Sequence, residues 1–97
     1  MRFTRLLSVS LKKSYLALTS QIRRAVSSIP TNIAEGCGRR TNAELANFLN
    51  IASCSASEVG YELLLAKDLG SISAEQRNKW TREISEIRCM LAAYINH

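Results

Sequence analysis

The sequence predicts an all-α domain of antiparallel helices, and three observations carry that prediction. Apolar residues recur in steps of three and four, the period of one helix face, over three separate stretches. No four-residue alternation rich in β-branched or aromatic residues marks a strand. The stretches are separated by the brief segments Gly36-Cys37-Gly38 and Gly70-Ser71-Ile72-Ser73. A short loop returns a helix antiparallel to its predecessor.

The first helix is expected from about Lys12 to Glu35, on the stripe Leu18, Ile22, Val26 or Ala25, Ile29 and Ile33. Pro30 lies inside it, and a proline costs ~3 kcal/mol in a regular helix. The stripe keeps its phase from Ile22 through Ile33. That favours a kinked continuous helix, with Ser27 or Thr31 hydroxyls engaging freed carbonyls, over a stop and restart at Pro30. Gly36-Cys37-Gly38 ends it. The segment Phe3–Leu11 is a shorter N-terminal piece to which periodicity assigns no state. It is rich in Arg, Ser and Leu and has no acid, as targeting presequences are. Charges interrupt its apolar run and no small-residue cleavage site follows, so it is not a secretion signal. Its downstream part merges with the first helix.

The second helix has the cleanest stripe, Leu45, Leu49, Ala52, Ala56, Val59, Leu63 and Ala66. Thr41 or Asn42 caps its start, Glu44 and Lys67 suit the helix dipole, and Gly70 stops it. Ser73, with Gln76 three residues on, forms the capping box of the last helix. Its stripe is Trp80, Ile84, Ile87, Leu91 and Tyr94.

The 97 residues make one domain, 1–97, with 46% hydrophobic residues and room for a thin core that association would thicken. A net charge of +5 conceals an asymmetry, because residues 1–40 carry +7 and residues 41–97 carry −2. A basic half of this kind suits a polyanion such as RNA or DNA. Cys37, Cys54 and Cys89 form no CxxC pair, and the only histidine is His97, so no zinc ligand set is present and none is expected. Odd cysteines without a secretion signal fit reduced thiols in a cytoplasmic setting, with Cys54 and Cys89 read as small core or near-core residues. No run reaches the ~18 apolar residues of a membrane span.

The segment Gln21–Gly38, QIRRAVSSIPTNIAEGCG, is the most informative in the chain. It continues through Arg39-Arg40, and Phe48-Leu49, Ile51-Ala52, Ser55, Glu58 and the stretch Leu63–Leu69 extend the pattern. From Leu18 to Gly70 the chain resembles the S23, or 23S rRNA intervening-sequence, protein family. It is also similar to the accessory protein of diversity-generating retroelements, a basic pentamer that binds nucleic acid and partners a reverse transcriptase. The resemblance implies an antiparallel up-and-down four-helix bundle and a ring-like homo-oligomer, typically a pentamer. The chain departs from the family pattern in three places. Only about a dozen unmatched residues stand where a long first helix is usual, so that helix is short or incomplete. Cys54 replaces a usual glycine and Gly60 a usual acidic residue.

The candidate nucleic-acid contacts are Lys12, Lys13, Arg23, Arg24, Arg39 and Arg40. Arg23 and Arg24 are ~100° apart on a helix and cannot face the same way, so one is expected to meet an acid such as Glu35 or Glu58 and the other solvent or phosphate. For this pair ion pairing between helices outranks phosphate contact. For Arg39 and Arg40, beyond Gly38, phosphate contact and simple solubility stand level. A structural polar network is expected from Gln21, Asn32, Glu35 and Glu58. Glu58 and Glu62 lie one turn apart, but a bundle metal site also wants a Glu-x-x-His pair, which is missing. No nucleophile–base pair stands out, so no catalytic residue, cofactor or small-molecule substrate is assigned. The expected function is a non-enzymatic oligomeric protein binding RNA or DNA through a basic surface. The rival is a structural or protein-interaction module that binds no nucleic acid.

Overall fold

The computed structural model describes residues 2–95, with side chains for Lys13 and residues 16–95. These residues form three helices, α1 (Arg2–Cys37), α2 (Asn42–Asp68) and α3 (Ala74–Ile95). The all-α expectation holds, whereas the expected count of four helices is not reached among the described residues. Phe3–Leu11 is no separate element but the start of the 36-residue α1. The physical reason lies in the sequence, since no glycine or proline interrupts the chain between Arg2 and Ile29.

Helix α1 runs through Pro30. The ring removes the amide that would bond the Val26 carbonyl and crowds the preceding turn. The Thr31 hydroxyl donates to the Ser27 carbonyl at 2.9 Å and Asn32 Nδ2 donates to the Ser28 carbonyl at 2.8 Å, so side chains reinforce the loosened turn. Gly36 is buried, and a Cβ there would stand 3.0 Å from Phe48 Cβ and 3.0 Å from Leu45 Cδ1. Its missing side chain lets the end of α1 lie close against the start of α2.

The caps follow local chemistry. Thr41 Oγ1 accepts from the Glu44 amide at 3.1 Å. At the other end of α2 the Ser71 amide donates to Ala66 O at 2.8 Å and Gly70 N to Lys67 O at 3.0 Å. This double bond pattern needs a left-handed residue, and Gly70 has φ +78°. Ser73 and Gln76 bond reciprocally, each side chain accepting from the other's amide at 3.1 Å.

Helix α2 is the central wall. Leu49, Ala52, Ala56, Val59 and Leu63 of its stripe are buried in one cluster with Ala25 and Ile29 of α1 and Leu91 of α3, and Ala66 is buried as well. Among the described residues no Cα of α1 comes within 8 Å of α3. The Cα envelope measures 61 × 24 × 13 Å, so the helices form an arched layer rather than a closed bundle. Its concave side is an apolar trough, walled by α1 and α3 and floored by α2. Val26, expected as an alternative core residue, is 46% exposed on the trough wall, while Ala25 takes the core position. Cys54 and Cys89, expected near the core, are exposed. Cys54 falls two residues from both Ala52 and Ala56, which turns it ~200° from the buried stripe.

Gly60 lies inside α2 with nothing within 4 Å of where a Cβ would stand. Gly60→Ala should therefore raise stability by about 0.5–1 kcal/mol. The readout is a higher urea midpoint with an unchanged slope. A lower midpoint would show that α2 needs a glycine at this point.

Candidate functional site

The geometry of α1 sorts its residues by direction. Taking Ala25, which faces α2, as reference, the turn of ~100° per residue places Ile22, Val26, Ile29 and Ile33 toward the trough. The same turn places Gln21, Arg24 and Ser28 on the opposite flank and carries Arg23 about 160° away from α2. Lys13 falls ~20° from Arg24, three turns earlier, because eleven residues complete nearly three turns. Lys12 stands in the same relation to Arg23, although its side chain lies outside those described.

The flank opposite the trough is a polar groove. Gln21, Arg24 and Ser28 line it from α1, and Ser55, Glu58 and Glu62 line it from α2. A stitch crosses its floor, where the Ser28 and Ser55 hydroxyls are 2.9 Å apart and Asn32 Nδ2 donates to Ser28 Oγ at 2.9 Å. Ser55 is buried, so this bond keeps a polar group from standing unsatisfied in the core seam. The four residues expected as one network are therefore divided. Asn32 joins the stitch, Gln21 and Glu58 line the groove, and Glu35 lies at the far end of α1.

Glu35 receives the Arg39 guanidinium at 3.3 Å. The same guanidinium carbon sits 4.8 Å from the centre of the Phe48 ring. Arg39 is thus held by one carboxylate from the end of α1 and one aromatic face from the start of α2, which approach closely at Gly36. Arg24 shares its groove with Glu58 and Glu62. Lys13, Arg23 and Arg40 are exposed, and none has an ion-pair partner among the described residues. Arg24 is exposed and likewise has no ion pair among the described residues, but it shares its hollow with two acids. The described cations of the site that stand apart from any acid are therefore Lys13, Arg23 and Arg40.

Two features escaped the sequence reading. Ser55 occupies the buried stripe, three residues after Ala52 and four before Val59, and that position was the available signal for the stitch. Glu62 entered the sequence reading only as one of two carboxylates a turn apart, yet its Oε2 is buried without a hydrogen-bond partner among the described residues. Burial first, and the charge of Glu58 second, raise its carboxyl above the ordinary value. A folded-state value above the unfolded one means that the folded protein holds the proton more tightly. The resulting stability is complete below the ordinary carboxylate value and is lost as pH rises through the folded value. Glu62→Gln should consequently melt higher than the parent at neutral pH and lose that advantage at about pH 4. Thermal melts at both pH values check this, and an advantage independent of pH would remove the electrostatic explanation.

Among the described residues no three His, Cys, Asp or Glu side chains gather in a way that could hold a metal ion. No helix among them is long and apolar enough to cross a membrane.

The family model for the 23S rRNA-intervening sequence protein matches residues 3–93 of the chain. The chain is also similar to a crystal structure from Bacteroides thetaiotaomicron, a protein of unknown function from the S23 ribosomal protein family. That match has a TM-score of 0.81 at 28% identity and covers 92% of this chain and 91% of the other. No curated protein matches the chain.

Proposed function

The chain belongs to the 23S rRNA-intervening sequence protein family, and from that premise we propose that it is a non-enzymatic, self-associating helical-bundle protein whose basic α1 side holds the phosphate backbone of RNA or DNA. An RNA from a ribosomal context is the first candidate ligand. A partner of the kind served by retroelement accessory proteins is the second. The observation that carries this reading is the set of exposed cations, Lys13, Arg23 and Arg40, which have no ion-pair partner among the described residues, on the +7 half of the chain. Recognition is of the backbone rather than the bases, because aromatic side chains for base stacking are few, 6% of the residues.

The test is fluorescence anisotropy with a structured RNA hairpin and a duplex DNA over roughly 50–200 mM salt. Three phosphate contacts give a slope of log affinity against log salt of about −3. The double variant Arg23→Glu, Arg40→Glu should flatten that slope by about 2 and weaken binding to both ligands. Binding that is absent, or insensitive to salt, contradicts the reading.

The second reading is a purely structural module, favoured by the ion pair of Arg39 with Glu35 and by the place of Arg24 in a groove with Glu58 and Glu62. Charge reversal at Arg40 separates the two. Lost RNA binding with assembly intact supports the first, and lost assembly supports the second.

A further inference from the structure

We propose that the trough between α1 and α3 is filled by the N-terminal arm of α1 from a second copy of this chain, so that a fourth helical wall is supplied in trans. The inference rests on the self-association reading above and names the surfaces that carry it.

The chain alone is too open for its size. A compact monomer of 10.8 kDa exposes about 5,500 Å², whereas this chain exposes 7385 Å². Its radius of gyration is 16.9 Å, against about 12.5 Å for a compact domain of this length. The excess surface, about 1,900 Å², is close to two interface halves of ~800 Å² each. That is the amount a chain covers when it both donates an arm and accepts one.

The trough has the character of a helix-binding groove. Its two adjoining hollows, about 410 and 420 Å³, share Ile87 and run the length of α3. Their size would suit a small ligand, but among the described residues Glu83 is the only charged group on their walls. A small-molecule site normally sets several polar groups to orient its ligand. An apolar helix laid lengthwise needs none.

The occupant follows from length and charge. Helix α1 has 36 residues against 27 in α2, so its N-terminal end projects ~14 Å past its own partner. This arm carries Phe3, Leu7 and Leu11 at spacings of four, with Leu6 beside them, and the cations Arg2 and Arg5 with no acid. The charge that the described walls of the trough present to it is the acid Glu83. The arm continues without a turn into α1, so it cannot fold back into its own trough. Only the trough of another copy is within its reach.

Sedimentation equilibrium of the full chain, combined with emission from Trp80, tests this. Trp80 is the only tryptophan and lines the trough. The parent should associate, and its emission should shift to longer wavelength as dilution separates the copies. Leu7→Asp on the arm and Ile84→Asp on the wall should each weaken association at least about tenfold. Mixing the two variants should restore it in part, because one retains a sound arm and the other a sound trough. Should Ile84→Asp lose helical circular dichroism, Met90→Asp, exposed on the same wall, takes its place. A Leu7→Asp chain that assembles like the parent, with unchanged Trp80 emission, overturns the arm while leaving self-association standing. A monomeric parent overturns both.

Discussion

Leu63→Ala should cost about 3 kcal/mol of folding stability. Leu63 is 4% exposed and belongs to the core cluster, with Val59 beside it on α2. It also forms part of the trough floor near Trp80. Truncation removes its transfer free energy and leaves a void that the helices on either side do not readily close. A domain of this size is stable by only 5–15 kcal/mol, so the loss is a large share of the total. Urea denaturation measures it as a lower midpoint with an unchanged slope. A loss under about 1 kcal/mol would mean that water already reaches the site, as in a trough that nothing covers.

Ala56→Leu should destabilise by about 1–3 kcal/mol or more, by the opposite mechanism. Ala56 and Ala52 are fully buried, one turn apart on the stripe of α2. Both belong to the cluster that α1 and α3 pack against. Since α2 is the only wall that the other two share, a branched side chain at position 56 pushes on both seams together. At roughly 4–8 °C per kcal/mol for a domain this small, the melting temperature should fall by about 10 °C. Ser57→Leu, on the exposed side of the same helix, is the control and should change little. Equal effects at positions 56 and 57 would show that close packing does not limit stability at position 56.

The sequence made α2 legible almost residue by residue, because a helix buried on two sides shows an unbroken stripe. Helix α3 was legible in phase but not in burial. Of Trp80, Ile84, Ile87, Leu91 and Tyr94 only Leu91 is buried, and Tyr94 is 71% exposed. Periodicity records which side of a helix is apolar, not whether a neighbour covers it. Helix α1 shows the same limit, since Ala25 and Val26 are equally apolar and only packing against α2 selects the smaller one. The fusion of the N-terminal piece into α1 was readable in principle, because Phe3, Leu7 and Leu11 keep the phase of Leu18, Ala25 and Ile29 at ~100° per residue.

The candidate site was legible as charge and obscure as geometry. The +7 half could be read directly, but the commitment of Arg39 to Glu35 and Phe48 depends on a close approach at Gly36 between residues of two helices. The capping groups were readable because each partner lies three residues from its mate. The stitch between Ser28 and Ser55 spans 27 positions, and no local pattern encodes a bond of that reach.

The most direct test of the account is the mass of the parent chain in solution, measured across micromolar concentrations with and without a structured RNA. The account predicts a multiple of 10.8 kDa without RNA, and a heavier RNA-bound species that salt dissociates while the protein assembly persists. A chain that stays at 10.8 kDa under all these conditions, with RNA and without, would contradict it.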